Sequence, residues 1–255
     1  MKIHHLRNAT LIIESGPLHI LVDPMLGKRG AFMPFTLFRF KARRNPLVNL
    51  PDNSEALLAK VTHCLITHQH PDHIDDAGVA FLRDKQIPVI CSQKDTRALE
   101  RRDLSVSLSL EYGEITSALG GSVTGIPARH GYGFIAGPMG NVMGFYLELS
   151  EAPTLYISAD TIYTKAVDDV LRNSRPAISI VAGGAAQLDV GSPLLMTIED
   201  IVKFVRNAPG QVVINHLEAL NHCPTTRQQL RTLLQEQELL YKAYLPEDGE
   251  TLVFE

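Results

Sequence analysis

The chain has 255 residues, 45% hydrophobic and 20% charged, with a formal net charge of −4 and a pI near 6.2. That length lies at the upper end of one domain and supplies a core that needs neither disulfide nor structural metal to fold. The acidic balance argues against a broad phosphate-binding surface, though a bound cation still permits a small anionic substrate.

In chain order, "KIHHLRN" reads as a strand, and "ATLIIES-GP-LHILVDP" as two β-branched strands around a Gly-Pro turn. Residues 25–51 then lose all periodicity, mixing Gly and Pro with Phe32, Phe35, Phe38 and Phe40 and a basic group, Arg39, Lys41, Arg43 and Arg44. A loop of this length suits a lid or binding loop, and a short helix packing its aromatics on the core is the alternative. The basic group is either an anion clamp or a solvated face. Strands and helices alternate afterwards: "VTHCLIT", "DDAGVAFLRDK", "IPVICS" and "KDTRALERR". Short strands are expected near 105–112, 121–127, 142–149 and 153–158. A helix at "IYTKAVDDVLRN" follows, then strand "AISIVAG", helix "MTIEDIVKFVRN", strand "QVVIN", helix "TTRQQLRTLLQEQEL" and a closing strand in "GETLVFE". With no break in composition, this order predicts one α/β domain over 1–255, two sheets under outer helices. Cys64 and Cys91 sit in apolar runs as small buried residues, while Cys223, in "NHCP", is placed near the site described next. The absence of a secretory h-region or a membrane-length apolar run leads us to expect a cytoplasmic protein without membrane partners.

The stretch "LITHQHPDHIDD" (65–76) holds His68, His70, Asp72, His73, Asp75 and Asp76 within nine positions after an apolar run. It falls at the carboxyl end of a strand, where open α/β sheets place ligand chemistry. On an extended segment His68 and His70 point the same way, and Pro71 then bends the chain to present Asp72 and His73 to a second point. Imidazole and carboxylate are the donors that Zn²⁺, Mn²⁺ and Fe accept. Aspartates here are also natural caps for the next helix, but capping does not call for three histidines.

This H-x-H-x-D-H stretch resembles the metallo-β-lactamase superfamily. The family's remaining ligands have counterparts downstream in order: His130 in "GIPARHGYG", Asp160 in "TLYISADT" and His216 in "QVVINHLEALNH". Asp23, in "LVDP", matches its upstream supporting aspartate. The resemblance implies a four-layer αββα sandwich and two divalent ions, Zn or Mn foremost, with Fe also accepted. His68, His70 and His130 would hold one ion, Asp72, His73 and His216 the other, and Asp160 would bridge them. It also implies a metal-bridging hydroxide as nucleophile, with Asp72 moving a proton as the leaving group departs. The flanks "RNATLIIES", "SADTIY" and "HLEALNHC" look like the branch containing the ascorbate-6-phosphate lactonase and the N-acyl-phosphatidylethanolamine phospholipase D.

The expected activity is therefore hydrolysis of a small lactone or phosphate ester, neutral or anionic, by a chain that forms a homo-oligomer and does not bind nucleic acid. The alternatives are a phosphodiesterase or nuclease acting on nucleic acid, and a non-catalytic metal-binding sensor. Glu218, His222 and Tyr132 are further candidates for contacting substrate or supporting a ligand, as is Tyr163. Thr67 and Asp75 are candidates for bonding the ligand histidines. Gly183–Ala185 is a candidate for close approach of substrate to the backbone.

Overall fold

Side-chain alternation in the early strands sorts the chain into layers. The computed structural model describes residues 1–255. β1 (Lys2–Arg7), β2 (Thr10–Ser15) and β3 (Leu18–Val22) form an antiparallel meander. β4 (His63–Ile66), β5 (Val89–Ser92) and β6 (Val106–Leu110) continue that sheet in parallel, and β14 (Thr251–Val253) closes its other edge beside β1. The second sheet pairs β7 (Ile115–Ala118), β8 (Gly121–Pro127), β9 (Met143–Glu148) and β10 (Leu155–Ile157) antiparallel. It then adds β11 (Ile178–Ala182), β12 (Gln211–Asn215) and β13 (Ala243–Tyr244) in parallel. Each sheet has seven strands.

Leu11, Ile13 and Leu65 point inward with Phe145, Leu147, Ile157 and Val213 of the other sheet, so the two sheets share one apolar interior. Their neighbours Ile12, Cys64 and Ile66 face outward under α2 (Asp76–Asp84) and α3 (Gln93–Glu100), through Val79, Leu82 and Leu99. On the far side Tyr156, Val212 and Ile214 pack under α5 (Ile198–Asn207) and α6 (Arg227–Glu236), through Ile201, Phe204, Leu230 and Leu234. The result is the expected αββα order. Burying each such side chain contributes roughly 1.5–3 kcal/mol.

The elements missed from sequence are short: α1 (Ser54–Leu58), β7 and β13. The helix begun by α4 (Lys165–Asp169) finishes in a π turn, Val170–Ser174. Residues 25–51 contain no helix, only the bridge between Phe32 and Asn45. Polar ties hold this stretch instead. Buried Arg7 donates to the carbonyls of Met25, Gly27 and Val48 at 2.6, 2.9 and 2.9 Å. Asn221 accepts from Phe35 N at 3.0 Å and donates to the Thr36 carbonyl at 2.8 Å.

The carboxyl ends of β3, β4, β8, β10 and β12 all open on one edge, and α2 fixes the first of these. Its cap Asp75 accepts from Gly78 N at 2.8 Å and from the Leu26 and Gly27 amides at 3.0 and 2.6 Å. A side chain at Gly78 would collide with the Pro24 carbonyl, one residue past Asp23. Helix propensity alone makes Gly78→Ala stabilising by about 1 kcal/mol. The collision reverses the sign, and we expect a loss of about 1–3 kcal/mol, read as a lower urea midpoint at unchanged slope. A raised midpoint would disprove the close approach.

Candidate metal centre

Each strand that ends on this edge delivers one polar side chain within a few residues. Asp23 follows β3, His68 follows β4, His130 follows β8, Asp160 follows β10 and His216 follows β12. Asp23 and His216, with Ala159 next to Asp160, have positive φ of 48°, 59° and 58°, left-handed backbone that turns the chain sharply off the strand. Such conformations cost on the order of 1–3 kcal/mol each and cluster at functional sites.

The donors form two adjoining groups, His68 with His70 and His130, and Asp72 with His73, Asp160 and His216. Within each group one ligand atom per residue lies within 4.8 Å of every other. Asp160 stands between them: its Oδ2 is 3.3 Å from His73 Nε2, 3.6 Å from His216 Nε2 and 3.5 Å from His130 Nε2. Asp72 Oδ2 is 3.4 Å from His216 Nε2, and His68 Nε2 is 3.1 Å from His70 Nδ1.

The outward ring nitrogens are committed elsewhere. Asp23 accepts from Thr67 N at 2.8 Å, Thr67 Oγ1 at 2.7 Å and His73 Nδ1 at 2.8 Å. Because Thr67 gives its hydroxyl proton to Asp23, its oxygen accepts from His68 Nδ1 at 3.0 Å. His130 Nδ1 donates to the Leu194 carbonyl at 3.0 Å, and His216 Nδ1 lies 3.5 Å from Cys223 Sγ. Each of these rings therefore turns its Nε2 inward, as a metal ligand requires. His73 Nε2, His216 Nε2 and Asp160 Oδ1 are buried without any hydrogen-bond partner. Leaving them so costs about 1–3 kcal/mol per group, and one cation satisfies all three. The residues present thus fit a pair of divalent ions.

Burial holds His68 neutral and pulls His130 down to about 4. Burial is the largest influence on His73 and His216 and lowers both. Asp160 together with Asp23 and Asp72 at His73, and together with Cys223 and Asp72 at His216, outweighs it, so these two rings are raised. For Asp72 burial raises the carboxyl, and His73 and His216 outweigh it to hold the group ionised. A cation must displace the protons held by His73 and His216. Loading with Zn²⁺ should therefore release protons, and apparent affinity should weaken as pH falls through the raised range of His73, about 10, and on towards neutrality. Calorimetry in buffers of different ionisation enthalpy checks this, and buffer-independent heats would contradict it.

Several expected residues lie elsewhere. Tyr132 donates its hydroxyl to Asp200 and does not face the donors. Glu218 pairs with Arg227 at 2.6 Å, and Asp75 caps α2 rather than bonding a histidine. Tyr163 bonds Asp168 and Asn207. Gly183 and Gly184 make room for Ile214, the His216 carbonyl and Cys223, not for a ligand. Lys41, Arg43 and Arg44 line a separate surface recess with Lys28 and Arg29, and Arg39 donates to Gln187.

Asn8 escaped the sequence reading. It is buried, its amide donates to the Asp72 carbonyl at 3.0 Å, and its own carbonyl accepts from His216 N at 3.0 Å. The signal available was an Asn in the two-residue turn after β1, where φ is 58°.

Above the donors lies a cavity of about 190 Å³ walled by Phe35, Met139, Leu188, Leu194 and His222, with His70, Asp72 and His130 on its floor. No Lys or Arg lines it.

The domain profile described as "Beta-lactamase superfamily domain" matches residues 19–216. The chain belongs to the beta-lactamase superfamily. Within it, the "UPF0173 protein YddR" of Bacillus subtilis (strain 168) is 30% identical and aligns over 100% of both chains. A "UPF0173 metal-dependent hydrolase" of Alkaliphilus metalliredigens (strain QYMF) is 26% identical over 84% of this chain and 83% of its own. The crystal structure of an isothiocyanate hydrolase from Delia radicum gut bacteria superposes with a TM-score of 0.89 at 29% identity, covering 100% of this chain and 99% of that one. This superfamily member is a metal-dependent hydrolase, and no helix in it is long and apolar enough to cross a membrane.

If Asp23 orients His73 and, through Thr67, His68, then Asp23→Ala should weaken Zn²⁺ binding about 10–100-fold. Competition with a chromophoric chelator measures it. Unchanged affinity would remove Asp23 from the site.

Proposed function

We propose that the protein is a binuclear hydrolase of small, uncharged electrophiles, a lactone or an isothiocyanate, rather than of phosphate esters. The cavity carries this reading: its walls are mostly apolar, its only carboxylate is Asp72, no Lys or Arg lines it, and Lys41, Arg43 and Arg44 line a different recess. A phosphate ester would enter without a guanidinium or ammonium partner, whereas an uncharged ring or alkyl tail gains from Phe35, Met139, Leu188 and Leu194. The full-length similarity to an isothiocyanate hydrolase supports the same class.

His68, His70 and His130 would hold one divalent ion and Asp72, His73 and His216 the other, with Asp160 shared. When bound, Zn²⁺, Mn²⁺ or Fe there supplies Lewis acidity and a water acidified towards neutrality. The protein's own contribution is orientation and proton handling. Asp23, Thr67 and the Leu194 carbonyl fix the imidazoles. Phe35 and Leu188 present apolar surface above the floor. Asp72, held ionised and lining the cavity, would take up a proton from the attacking water and pass it to the leaving atom. The reading includes a small-molecule substrate, no nucleic-acid or membrane partner, a cytoplasmic location and assembly with further copies of the chain. A nuclease is disfavoured by the net charge of −4, and a sensor by the complete donor set.

His70→Ala and Asp160→Ala should each remove bound metal and turnover, measured by elemental analysis and by assay. With the loaded wild type, lactones and isothiocyanates should turn over at least about tenfold faster in kcat/KM than phosphate mono- and diesters, a gap near 1.4 kcal/mol. A preference for phosphate esters would overturn the substrate class.

A further inference from the structure

His222 remains unused by the donor groups, yet it is buried and forms part of the cavity wall. Three contacts fix it. Its ring meets the Phe35 edge at a centroid distance of 4.7 Å, its carbonyl accepts from Gln187 N at 2.9 Å, and its Nδ1 lies 3.8 Å from Cys223 Sγ. The same sulfur lies 3.5 Å from His216 Nδ1. Gly184 preserves this arrangement, since a Cβ there would sit 2.9 Å from Cys223 Sγ. The sulfur thus joins an inward-facing ring of the metal centre to a ring in the cavity wall.

The proton count along this chain is constrained. To present Nε2 as a lone pair, His216 must carry its proton on Nδ1 and donate it to sulfur. The sulfur has no hydrogen-bond partners besides the two histidines. Its own proton therefore lies on the line between Sγ and His222 Nδ1. While the Cys223–His222 pair holds two protons, one lies between Sγ and Nδ1 and the other is on His222 Nε2, the ring atom that has no hydrogen bond within the protein. We propose that His222 is a substrate-contacting hydrogen-bond donor, its Nε2–H directed into the cavity, and that Cys223 is the positioning residue that fixes both His222 and His216.

A donor at that place favours a heteroatom that gains negative charge as the electrophilic carbon is attacked. In a lactone this is the carbonyl or ring oxygen, and in an isothiocyanate the nitrogen or sulfur. Such donors typically contribute 10²–10³ in kcat. The proposal rests on the hydrolase reading above, so its test has one arm independent of turnover.

In the Zn-loaded protein labelled with ¹⁵N-histidine, long-range ¹H–¹⁵N spectra should show His216 protonated at Nδ1 and His222 protonated at Nε2. Cys223→Ser, whose hydroxyl also accepts and donates, should keep both patterns, and Cys223→Ala should lose the fixed pattern at His222. An unprotonated His222 Nε2 in the wild type, or a Cys223→Ala spectrum identical to it, would overturn the proposal whatever the substrate proves to be. In the kinetic arm His222→Phe should lower kcat by about 10²–10³ at unchanged metal content. His222→Gln, which retains an N–H, should restore part of the loss. Full activity in His222→Phe would refute the contact. Absence of wild-type turnover on both lactones and isothiocyanates would count against the hydrolase substrate class and leave the spectral arm to decide this one.

Discussion

The carboxylate of Asp23 is the joint on which the rest of the site depends. Its two oxygens take three protons, from the Thr67 amide, the Thr67 hydroxyl and His73 Nδ1. That arrangement locks the end of β3 to the end of β4 and fixes two imidazoles, one directly and one through the threonine. Asp23 is buried, and those hydrogen bonds satisfy both of its oxygens. The left-handed backbone at Asp23 and the contact of α2 with Pro24 are what bring the carboxylate to this point.

From that joint the sandwich assembles a concentrated field. The two sheets face each other through one apolar layer, and their parallel strands end on the same edge, so donors separated by 144 positions in sequence (72 to 216) come within 3.4 Å. Burial of so many titratable groups is unfavourable unless a cation completes the set. The orphaned Nε2 atoms of His73 and His216 express that incompleteness directly. Structural support radiates outward: Asn8 ties Asp72 to His216, the Leu194 carbonyl holds His130, and Cys223 reaches both His216 and the cavity wall.

The candidate donor cluster was legible in the sequence because its parts are local. His68, His70, Asp72 and His73 share one strand end, and each of His130, Asp160 and His216 stands alone after an apolar run. The long strands and amphipathic helices were equally plain, as period-2 and period-3.6 patterns. Short elements such as α1 and β13 carry too few residues to show a period. Tyr132 and Glu218 misled for a related reason. Nearness in sequence to His130 and His216 says nothing about direction, and each side chain turned to a partner from another element, Asp200 and Arg227.

What the sequence by itself determined was the kind of chemistry: a donor set of imidazoles and carboxylates, spaced by strand geometry, that two cations fit. Only the tertiary structure decided what meets those cations. Phe35, Met139, Leu188 and His222 come from four distant segments, held together by Asn221 and by Asp189, which accepts from the Leu37, Phe38 and Arg39 amides. Of the basic residues that suggested an anion clamp, Lys41, Arg43 and Arg44 were carried to a separate recess by the same loop, and Arg39 to Gln187. Ligand spacing is a property of one backbone segment, whereas the polarity of a cavity is a sum over segments that meet only when the chain has folded.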